Sequence, residues 1–529
     1  MKNSQKETSV HEEEILSYHL MHPGGDSRPG DPNVAFYSEG TYHLHYILRH
    51  PWHGEISYSF IHVTSEDMLN WTWQKTKLQP SFTGHGMFSG TGFITKDGKP
   101  AAIYCATAVE PRNTFITLAN DKKLSSWNKP YPLLPKGGPD GKDILLLGDP
   151  DCFQVGDTYY AYSAMSSSSN ASVPSSTTSL ENVQLCKSKD LVNWKYVGRL
   201  LKYDLPEISR GEDLSCANMF PIGNKWMILC ISHSMGCRYY LGEWDDKSEQ
   251  FVPETHGRMN WRRHGQSLLD PVYRDFFAPE SLLTRDGRRV MWAWLASLDK
   301  NIDRNYSGID LKTIQSLPRE LSLASDGSLL IKPLRELEAL RYEAVIFEKI
   351  LVPLADNDTV ASGKKIPYGK PHLHLKRFIK HITELRGDSF EIRIQIDRTE
   401  AERRRFGFLL FSNEDLEGLP VLIRPESGVI SIGETEAPFS ISVLPEAEDI
   451  EIRIFIDKYL IEVFINDRQA LVTSFVEYKD SGFDFNAYAF AGQGDKPMQI
   501  KKIEIWKMKS TNKGFLEARD NQIWAPELQ

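Results

Sequence analysis

Short runs of β-branched and aromatic residues alternate with turn residues from about residue 30 to residue 320. The runs include Val34-Ala35-Phe36-Tyr37 and Tyr159-Tyr160-Ala161-Tyr162, and Asp-Gly or Gly-Asp turns stand at positions 97–98, 156–157 and 286–287. Many short strands at this spacing predict an all-β fold. A single β-sandwich of this length would be oversized, so the pattern favours radial repetition, as in a β-propeller.

Two segments of this region resemble each other. Residues 65–71 and residues 188–194 both follow the pattern Ser-x-Asp, apolar residue, x, Asn-Trp, and Ser125-Ser126-Trp127-Asn128 is a weaker copy. Internal similarity of this kind is typical of propeller blades. The alternative interpretation, chance recurrence of turn chemistry, stays open from the sequence.

A second pattern begins after the propeller region. Residues 334–341 carry Leu at helical spacing, and residues 346–508 return to strands in which apolar and charged residues alternate, as in Ile450–Ile456. Such alternation predicts half-buried antiparallel strands of a sandwich. We therefore expect a propeller over residues 1–330, a helical linker over 331–345, and a β-sandwich domain over 346–529 whose last 21 residues, 509–529, form a polar tail.

Composition excludes several classes of partner. The net charge of −9 over 529 residues gives no basic face for nucleic acid, and no apolar run is long enough to cross a membrane. The six cysteines are scattered without paired or metal-ligand spacing, which predicts free thiols, a reducing cytoplasmic location and no metal. Oligomeric state stays open.

Acidic residues stand at three places that have turn chemistry. These are Gly30-Asp31-Pro32-Asn33, Gly148-Asp149-Pro150-Asp151 and Arg210-Gly211-Glu212-Asp213. The innermost strands of a propeller converge on a central channel, so carboxylates at their starts can meet in one pocket. Glycoside hydrolysis uses two carboxyl groups that flank the scissile bond, and a third can hold sugar hydroxyls. Each site taken singly is also explained as an ordinary turn.

The chain resembles glycoside hydrolase family 32, the invertase, fructanase and levanase family. The motifs that carry the resemblance occur in order over residues 18–508: Tyr18-His19, Gly30–Asn33, Phe88-Ser89-Gly90-Thr91, Gly148-Asp149-Pro150, Phe276–Ser281, Arg288–Trp294, Ser316–Leu321 and Ile461–Asp467. The resemblance implies a five-bladed β-propeller followed by a C-terminal β-sandwich. It also implies a small carbohydrate substrate and no cofactor.

The resemblance implies roles for individual residues. Asp31 is expected to be the nucleophile of a retaining β-fructofuranosidase, and Asp149 to bind ring hydroxyls and stabilise the transition state. The expected substrate-binding residues are Asn33, Phe88, Ser89, Asp213, Glu280 and Trp294. For two of them a structural role stays open, Trp294 as a core residue and Glu280 as a partner of Arg288 or Arg289.

Several positions depart from the family pattern. Gly30, Val34, Ile47 and Gly148 replace its usual Asn, Gly, Gln and Arg, and alignment on Cys216 puts Ser215 where the acid/base Glu should stand. The nearest glutamate, Glu212, is therefore our predicted acid/base residue, with Asp213 as the alternative. The alternative functions are a fructosyltransferase or difructose-anhydride-active enzyme, an arabinofuranosidase-like propeller enzyme, and a carbohydrate-binding protein without activity.

Overall fold

The computed structural model describes residues 15–24, 28–109, 112–138, 141, 144–146, 148–163, 165–167, 180–202, 212–233, 235–259, 261, 275–295, 314–353, 376–475, 482–491 and 496–528. The chain divides into two compact units. The first contains the described residues within Met1–Asn260, Ser267–Glu336 and Thr511–Gln529, and the second contains those within Trp261–Gln266 and Leu337–Ser510.

The first unit contains five four-stranded antiparallel sheets, which we call blades 1 to 5. In each blade the four strands are neighbours in chain order. The strands are Arg28–Ser38, Thr41–Trp52, Glu55–Ser65 and Thr72–Trp73 in blade 1; Gly86–Ile94, Pro100–Thr107, Thr114–Leu118 and Tyr131–Pro132 in blade 2; Asp151–Val155, Thr158–Ser163, Gln184–Ser188 and Lys195–Arg199 in blade 3; Ser215–Ile222, Lys225–Ser232, Gly236–Asp245 and Gln250–Arg258 in blade 4; and Phe277–Leu283, Arg289–Trp294, Arg319–Leu323 and Leu329–Pro333 in blade 5.

The first strand of each blade is the innermost one. Each first strand contacts the first strand of the next blade, and the first strand of blade 5 contacts that of blade 1, which closes a ring. An additional two-stranded sheet pairs Ile144–Leu146 with Met165–Ser167, and short helices cover Pro80–Thr83 and Leu180–Asn182. The five-bladed propeller expected from the family resemblance is confirmed by this arrangement.

The two similar segments form the same turn in blades 1 and 3. Asp67 Oδ1 accepts hydrogen bonds from the backbone N–H groups of Leu69 and Asn70, and Asp190 Oδ1 accepts the equivalent bonds from Val192 and Asn193. The side-chain amide of Asn193 also donates to Asp190 Oδ2, and this bond together with the two backbone bonds lowers the pKa of Asp190. An aspartate that caps the turn between the third and fourth strands is the physical reason for the sequence repeat.

The second unit is a sandwich of two six-stranded antiparallel sheets. One sheet has the spatial order Arg341–Val352, Met498–Met508, Ser389–Ile396, Ile450–Asp457, Leu460–Ile465, Gln469–Ser474, and the other has the order Lys376–Leu385, Phe483–Ala491, Phe406–Ser412, Leu419–Arg424, Val429–Ile432, Thr435–Pro438. Alternate residues of both sheets, such as Ile392 and Phe408, are buried in one core. Short helices cover Arg398–Glu402, Pro425–Ser427 and Ile441–Val443.

The linker and the C-terminal segment differ from the sequence prediction. The predicted helical linker is one 3₁₀ helix, Arg335–Leu340, between strands, and the two units divide between Glu336 and Leu337. Residues 511–528 are not a polar tail of the sandwich but part of the propeller unit. A helix over Lys513–Asn521 leads to the buried Trp524, whose ring centroid lies 4.5 Å from that of His22. One buried aromatic side chain therefore anchors a C-terminal segment whose sequence is mostly polar.

Candidate active site

The innermost strands of blades 1, 2, 4 and 5 contain bulges. Pairing with the second strand shifts between Asn33 and Ala35, between Phe88 and Gly90, between Ser215 and Asn218, and between Phe277 and Glu280. A bulge re-aims side chains that would otherwise alternate between the two faces of a sheet. Cys216 and Ala278 occupy equivalent bulges with positive φ values of 45° and 46°. Such backbone strain in non-glycine residues is typical of functional sites.

Side chains from four blades meet around the thiol of Cys216. Its Sγ lies 3.4 Å from Asp149 Oδ2, 3.8 Å from Asp31 Oδ2 and 4.0 Å from Ser89 Oγ. The backbone N–H of Cys216 also donates a hydrogen bond of 2.9 Å to Asp149 Oδ2. The structure therefore brings together three of the residues predicted from the sequence, Asp31, Ser89 and Asp149.

The two carboxylates of this cluster are only partly exposed. Burial raises the pKa of Asp149, and the hydrogen bonds from the backbone and side chain of Cys216 oppose this shift. The resulting site holds one carboxylate, Asp149, at fixed orientation beside a second, Asp31. This pair can attack a carbon centre and stabilise positive charge that develops on it.

Asn33 supports the site from behind. Its Oδ1 accepts a hydrogen bond of 2.7 Å from the backbone N–H of Gly90, and its Nδ2 donates one of 3.0 Å to the carbonyl oxygen of Asp31. A Cβ at Gly90 would lie 2.1 Å from the carbonyl oxygen of Ile103, so only glycine fits there. Asn33 was expected to bind substrate, but its amide joins blades 1 and 2 and positions Asp31.

Glu212 differs most from its expected role. Its Oε1 lies 2.8 Å from Nε of Arg238, and it accepts a hydrogen bond of 3.1 Å from the hydroxyl of Tyr240. Burial raises the pKa of Glu212, whereas the charge of Arg238 opposes this shift. Both partners lie on the third strand of blade 4, so the carboxylate is held within its own blade. An acid/base residue has to present its proton to the substrate. The acid/base role of Glu212 stays a prediction.

Asp213 is the centre of a hydrogen-bond network at the rim of blade 4. Its Oδ1 accepts bonds from Ser232 Oγ and from the backbone N–H of His233, and its Oδ2 accepts bonds from Ser215 Oγ and from His233 Nδ1 at 2.8 Å. Burial acts to raise the pKa of Asp213, but the bonds from His233 outweigh it and lower the pKa. Asp213 is therefore an ionised acceptor that orients other groups. Arg210 and Gly211 lie outside the described residues.

The two predicted aromatic residues lie on different blades. Phe88, on the first strand of blade 2, is half-buried and packs edge-on against Tyr58, with ring centroids 5.1 Å apart. Trp294 is largely buried and pairs in register with Phe277, at the bulge of blade 5. The ring of Phe277 in turn lies 5.8 Å from that of His233.

Glu280 lies in a buried layer rather than at the channel surface. Its side chain is 1% exposed, and its carboxylate faces the backbone N–H groups of Ala35 and Gly92. Burial raises its pKa well above the usual range, and the neighbouring charge of Asp151 adds to this shift. Glu280 was expected to bind hydroxyls, but this position suits a structural role between blades 1, 2 and 5.

Two further charged residues belong to this buried layer, Asp151, which the sequence analysis missed, and Arg289, which it named as an alternative partner of Glu280. Asp151 accepts hydrogen bonds from Thr91 Oγ1 and from the backbone N–H of Met219, which joins blades 2, 3 and 4. Arg289 is the charge that opposes the pKa shift of Glu280, and its own burial lowers its pKa to about 10. Asp151 directly follows Asp149-Pro150, and this position beside a predicted site residue is the sequence feature that could have identified it.

The two domains of one family defined from sequence together match nearly the whole chain. Glycosyl hydrolases family 32 N-terminal domain matches residues 29–333, and Glycosyl hydrolases family 32 C terminal matches residues 336–507. The chain belongs to glycosyl hydrolases family 32. It is thus a glycoside hydrolase by family, with the propeller and the sandwich as its two domains.

Curated relatives of family 32 cover most of the chain. A probable sucrose-6-phosphate hydrolase of Psychromonas ingrahamii is 26% identical over 475 residues, which are 86% of this chain and 76% of the relative. The raffinose invertase of Escherichia coli is 24% identical over 502 residues, which are 90% of this chain and 92% of the relative.

Solved structures share the fold. The crystal structure of fructan 1-exohydrolase IIa from Cichorium intybus has a TM-score of 0.67 at 16% identity and covers 95% of this chain and 98% of its own. Within the described part of the chain, no helix is both long and apolar enough to cross a membrane.

Proposed function

We propose that this family 32 protein is a retaining glycoside hydrolase that cleaves terminal β-fructofuranosyl residues from sucrose-type or fructan-type oligosaccharides. The observation that carries the proposal is the cluster of Asp31, Ser89 and Asp149 around Cys216 at the inner strands of four blades. The names of the relatives, a sucrose-6-phosphate hydrolase and a raffinose invertase, support fructosides as the substrate class.

The mechanism uses the two carboxylates in different roles. Asp31 attacks the anomeric carbon and forms a covalent fructosyl-enzyme, which water then hydrolyses with overall retention. Asp149, held by the Cys216 backbone N–H, hydrogen-bonds the hydroxyls of the furanose ring and stabilises the oxocarbenium-like transition state. Ser89, close to both groups, is positioned to bind a further hydroxyl.

The departures from the family pattern include residues beside the two proposed carboxylates, since Gly30 and Val34 lie near Asp31 and Gly148 precedes Asp149. The proposal keeps Asp31 as the nucleophile and Asp149 as the residue that stabilises the transition state, whereas alignment on Cys216 puts Ser215 where the acid/base Glu should stand. We therefore expect the fructosyl residue to be the constant part of the substrate. We expect this chain to differ from other members of the family in the linkage that it cleaves and in the second sugar that it accepts.

The experiment is a panel of fructosides incubated with the purified protein. Sucrose, sucrose 6-phosphate, raffinose, inulin-type and levan-type oligosaccharides and cyclic difructosides are assayed for release of free fructose, and transfer products are followed in the same samples. We expect fructose release from at least one substrate, with retention at the anomeric carbon. Arabinofuranoside cleavage alone, or binding of fructosides without turnover, would contradict the proposal.

We also propose a cytoplasmic location. All six cysteines are free thiols, and five of them are buried. Reduced cysteines at this number fit a reducing compartment. Cell fractionation with thiol labelling checks the proposal, and quantitative recovery of the protein outside the cytoplasm would contradict it.

A further inference from the structure

Blade 4 presents an imidazole beside the proposed nucleophile site. His233 directly follows the second strand, Lys225–Ser232, and its side chain is 44% exposed at the rim. Its Nδ1 is 2.8 Å from Asp213 Oδ2, and the same oxygen accepts a bond from Ser215 Oγ. Ser215 precedes Cys216, and the charge of His233 acts on Asp149, a member of the cluster around Cys216.

We propose that His233, oriented by Asp213, is the acid/base residue of this enzyme and takes over the function of the glutamate that Ser215 replaces. This inference rests on the fructosidase function proposed above. The geometry has the form of a carboxylate–histidine dyad, in which the carboxylate binds Nδ1–H and thereby fixes the ring and presents Nε2 for proton transfer. A neighbouring carboxylate also favours the imidazolium, the form that can donate a proton.

Three further observations support the placement. Serine carries a hydroxyl on Cβ where glutamate carries a carboxymethyl group, and the hydroxyl of Ser215 donates a hydrogen bond to Asp213. The ring of Phe277 packs edge-on against His233 and limits its movement. His233 also lies close enough to Asp149 for its charge to act on that carboxylate.

The proton transfers balance over the two steps. In the first, Asp31 forms a bond to the anomeric carbon, the bond from that carbon to the leaving oxygen breaks, and this oxygen takes its electron pair and the proton from Nε2 of His233. In the second, neutral His233 removes a proton from water, the water oxygen binds the anomeric carbon, and the ester bond to Asp31 breaks and restores the carboxylate.

The test separates the proton-transfer role from a structural one. His233→Asn keeps a donor for Asp213 but removes Nε2, and His233→Gln serves as a second variant if the first is poorly folded. The matched control is His381→Asn in the sandwich, where an exposed His381 Nδ1 lies 3.8 Å from Asp484. Turnover is measured on the best natural fructoside and on 4-nitrophenyl β-fructofuranoside, whose leaving group needs little protonation, with and without azide.

We expect His233→Asn to lower kcat on the natural fructoside roughly 10²- to 10⁴-fold. The loss on the nitrophenyl substrate should be much smaller and should be relieved by azide, with β-fructosyl azide as product. Asp213→Asn should also lower kcat on the natural fructoside, by a smaller factor, and should shift the pH profile of kcat. The control should match the wild type.

Two outcomes overturn the inference, and they are distinguishable. In the first, the wild type is active and its His233 variants retain more than half of kcat on the natural fructoside with an unchanged pH profile. This outcome excludes His233 as the acid/base residue but leaves the fructosidase function intact. A wild type that releases fructose from neither kind of substrate removes the function and the inference together.

Discussion

The backbone N–H of Cys216 donates a hydrogen bond of 2.9 Å to Oδ2 of Asp149. This bond joins blade 4 to blade 3, and Cys216 lies at a bulge with a positive φ of 45°. A non-glycine residue in this conformation costs about 1–3 kcal/mol, and such strain is typical of functional sites. The thiol of Cys216 contacts the same oxygen of Asp149 at 3.4 Å, so the backbone and the side chain of this residue both hold the carboxylate.

The first prediction concerns the nucleophile. Asp31→Asn removes the anionic oxygen that attacks the anomeric carbon, so turnover should fall by at least roughly 10³-fold on every fructoside, including the nitrophenyl substrate. Thermal unfolding should stay close to that of the wild type, because Asp31 is partly exposed. Steady-state kinetics and calorimetry check the two parts. Retention of more than about one-twentieth of the activity would remove Asp31 as the nucleophile.

The second prediction separates Glu212 from the acid/base role. Glu212→Gln leaves the buried Arg238 without its carboxylate, which should lower the free energy of unfolding by about 3 kcal/mol. The kcat of the folded fraction should stay within about threefold of the wild type, because no proton transfer is lost. Denaturant unfolding and active-site-normalised kinetics measure these quantities.

The control for this prediction is another ion pair of the propeller. Glu249→Gln removes a partly exposed partner of Lys187 and should lower the free energy of unfolding by about 1 kcal/mol or less. If Glu212→Gln lost activity by about 100-fold or more at unchanged stability, Glu212 would regain the acid/base role.

The third prediction concerns the pH dependence of stability. Glu320 in blade 5 accepts hydrogen bonds from the backbone N–H and guanidinium of Arg335 and lies 2.8 Å from Arg288. Burial acts to raise the pKa of Glu320, but the bonds from Arg335 outweigh it and hold the pKa below 4.5. Because the pKa of Glu320 is lower in the folded state than in the unfolded state, ionised Glu320 stabilises the fold fully above pH 4.5. This stabilisation is lost as the pH falls through the folded-state pKa.

Glu320→Gln should therefore lower the free energy of unfolding by about 2 kcal/mol at neutral pH, and the difference from the wild type should shrink below pH 4.5. Urea unfolding over a pH series gives the comparison. Glu39→Gln, which removes an exposed partner 3.8 Å from Lys122, should have almost no effect at any pH. If the free energy of unfolding of Glu320→Gln differed from that of the wild type by the same amount at every pH, this result would argue against an ionised Glu320 in the network.

The fourth prediction concerns the C-terminal segment. Trp524 is 2% exposed, its Nε1 donates to the carbonyl oxygen of Ala518, and its own carbonyl accepts a bond of 2.6 Å from Thr76 Oγ1. Trp524→Ala should lower the free energy of unfolding of the propeller by about 3–5 kcal/mol, because it empties a buried aromatic site. The adjacent Ile523→Ala, at a position that is 55% exposed, is the control and should change it by less than about 0.5 kcal/mol. Equal effects of the two substitutions would mean that the segment does not stabilise the propeller.

The sequence by itself determined the architecture of this protein. Strand and turn periodicity predicted an all-β chain with a propeller before a sandwich, because alternation and turn residues act within a few positions of each other. The similar segments at residues 65–71 and 188–194 are a local feature of the same kind, since an aspartate caps its own turn. Asp31 and Asp149 were predicted from Asp-Pro turns that precede strand-like runs, and Ser89 from the resemblance of its motif to family 32.

The tertiary structure alone decided how the remaining acids are used. Glu212 and Asp213 are neighbours in the chain, yet one is paired with Arg238 and the other binds His233, 20 positions further on. Glu280 is buried between blades that come from distant parts of the chain, and Trp524 returns to the first blade from the C-terminal segment. The partner of a charged side chain depends on which strands the closed ring makes adjacent. That adjacency is non-local, so no pattern along the sequence records it.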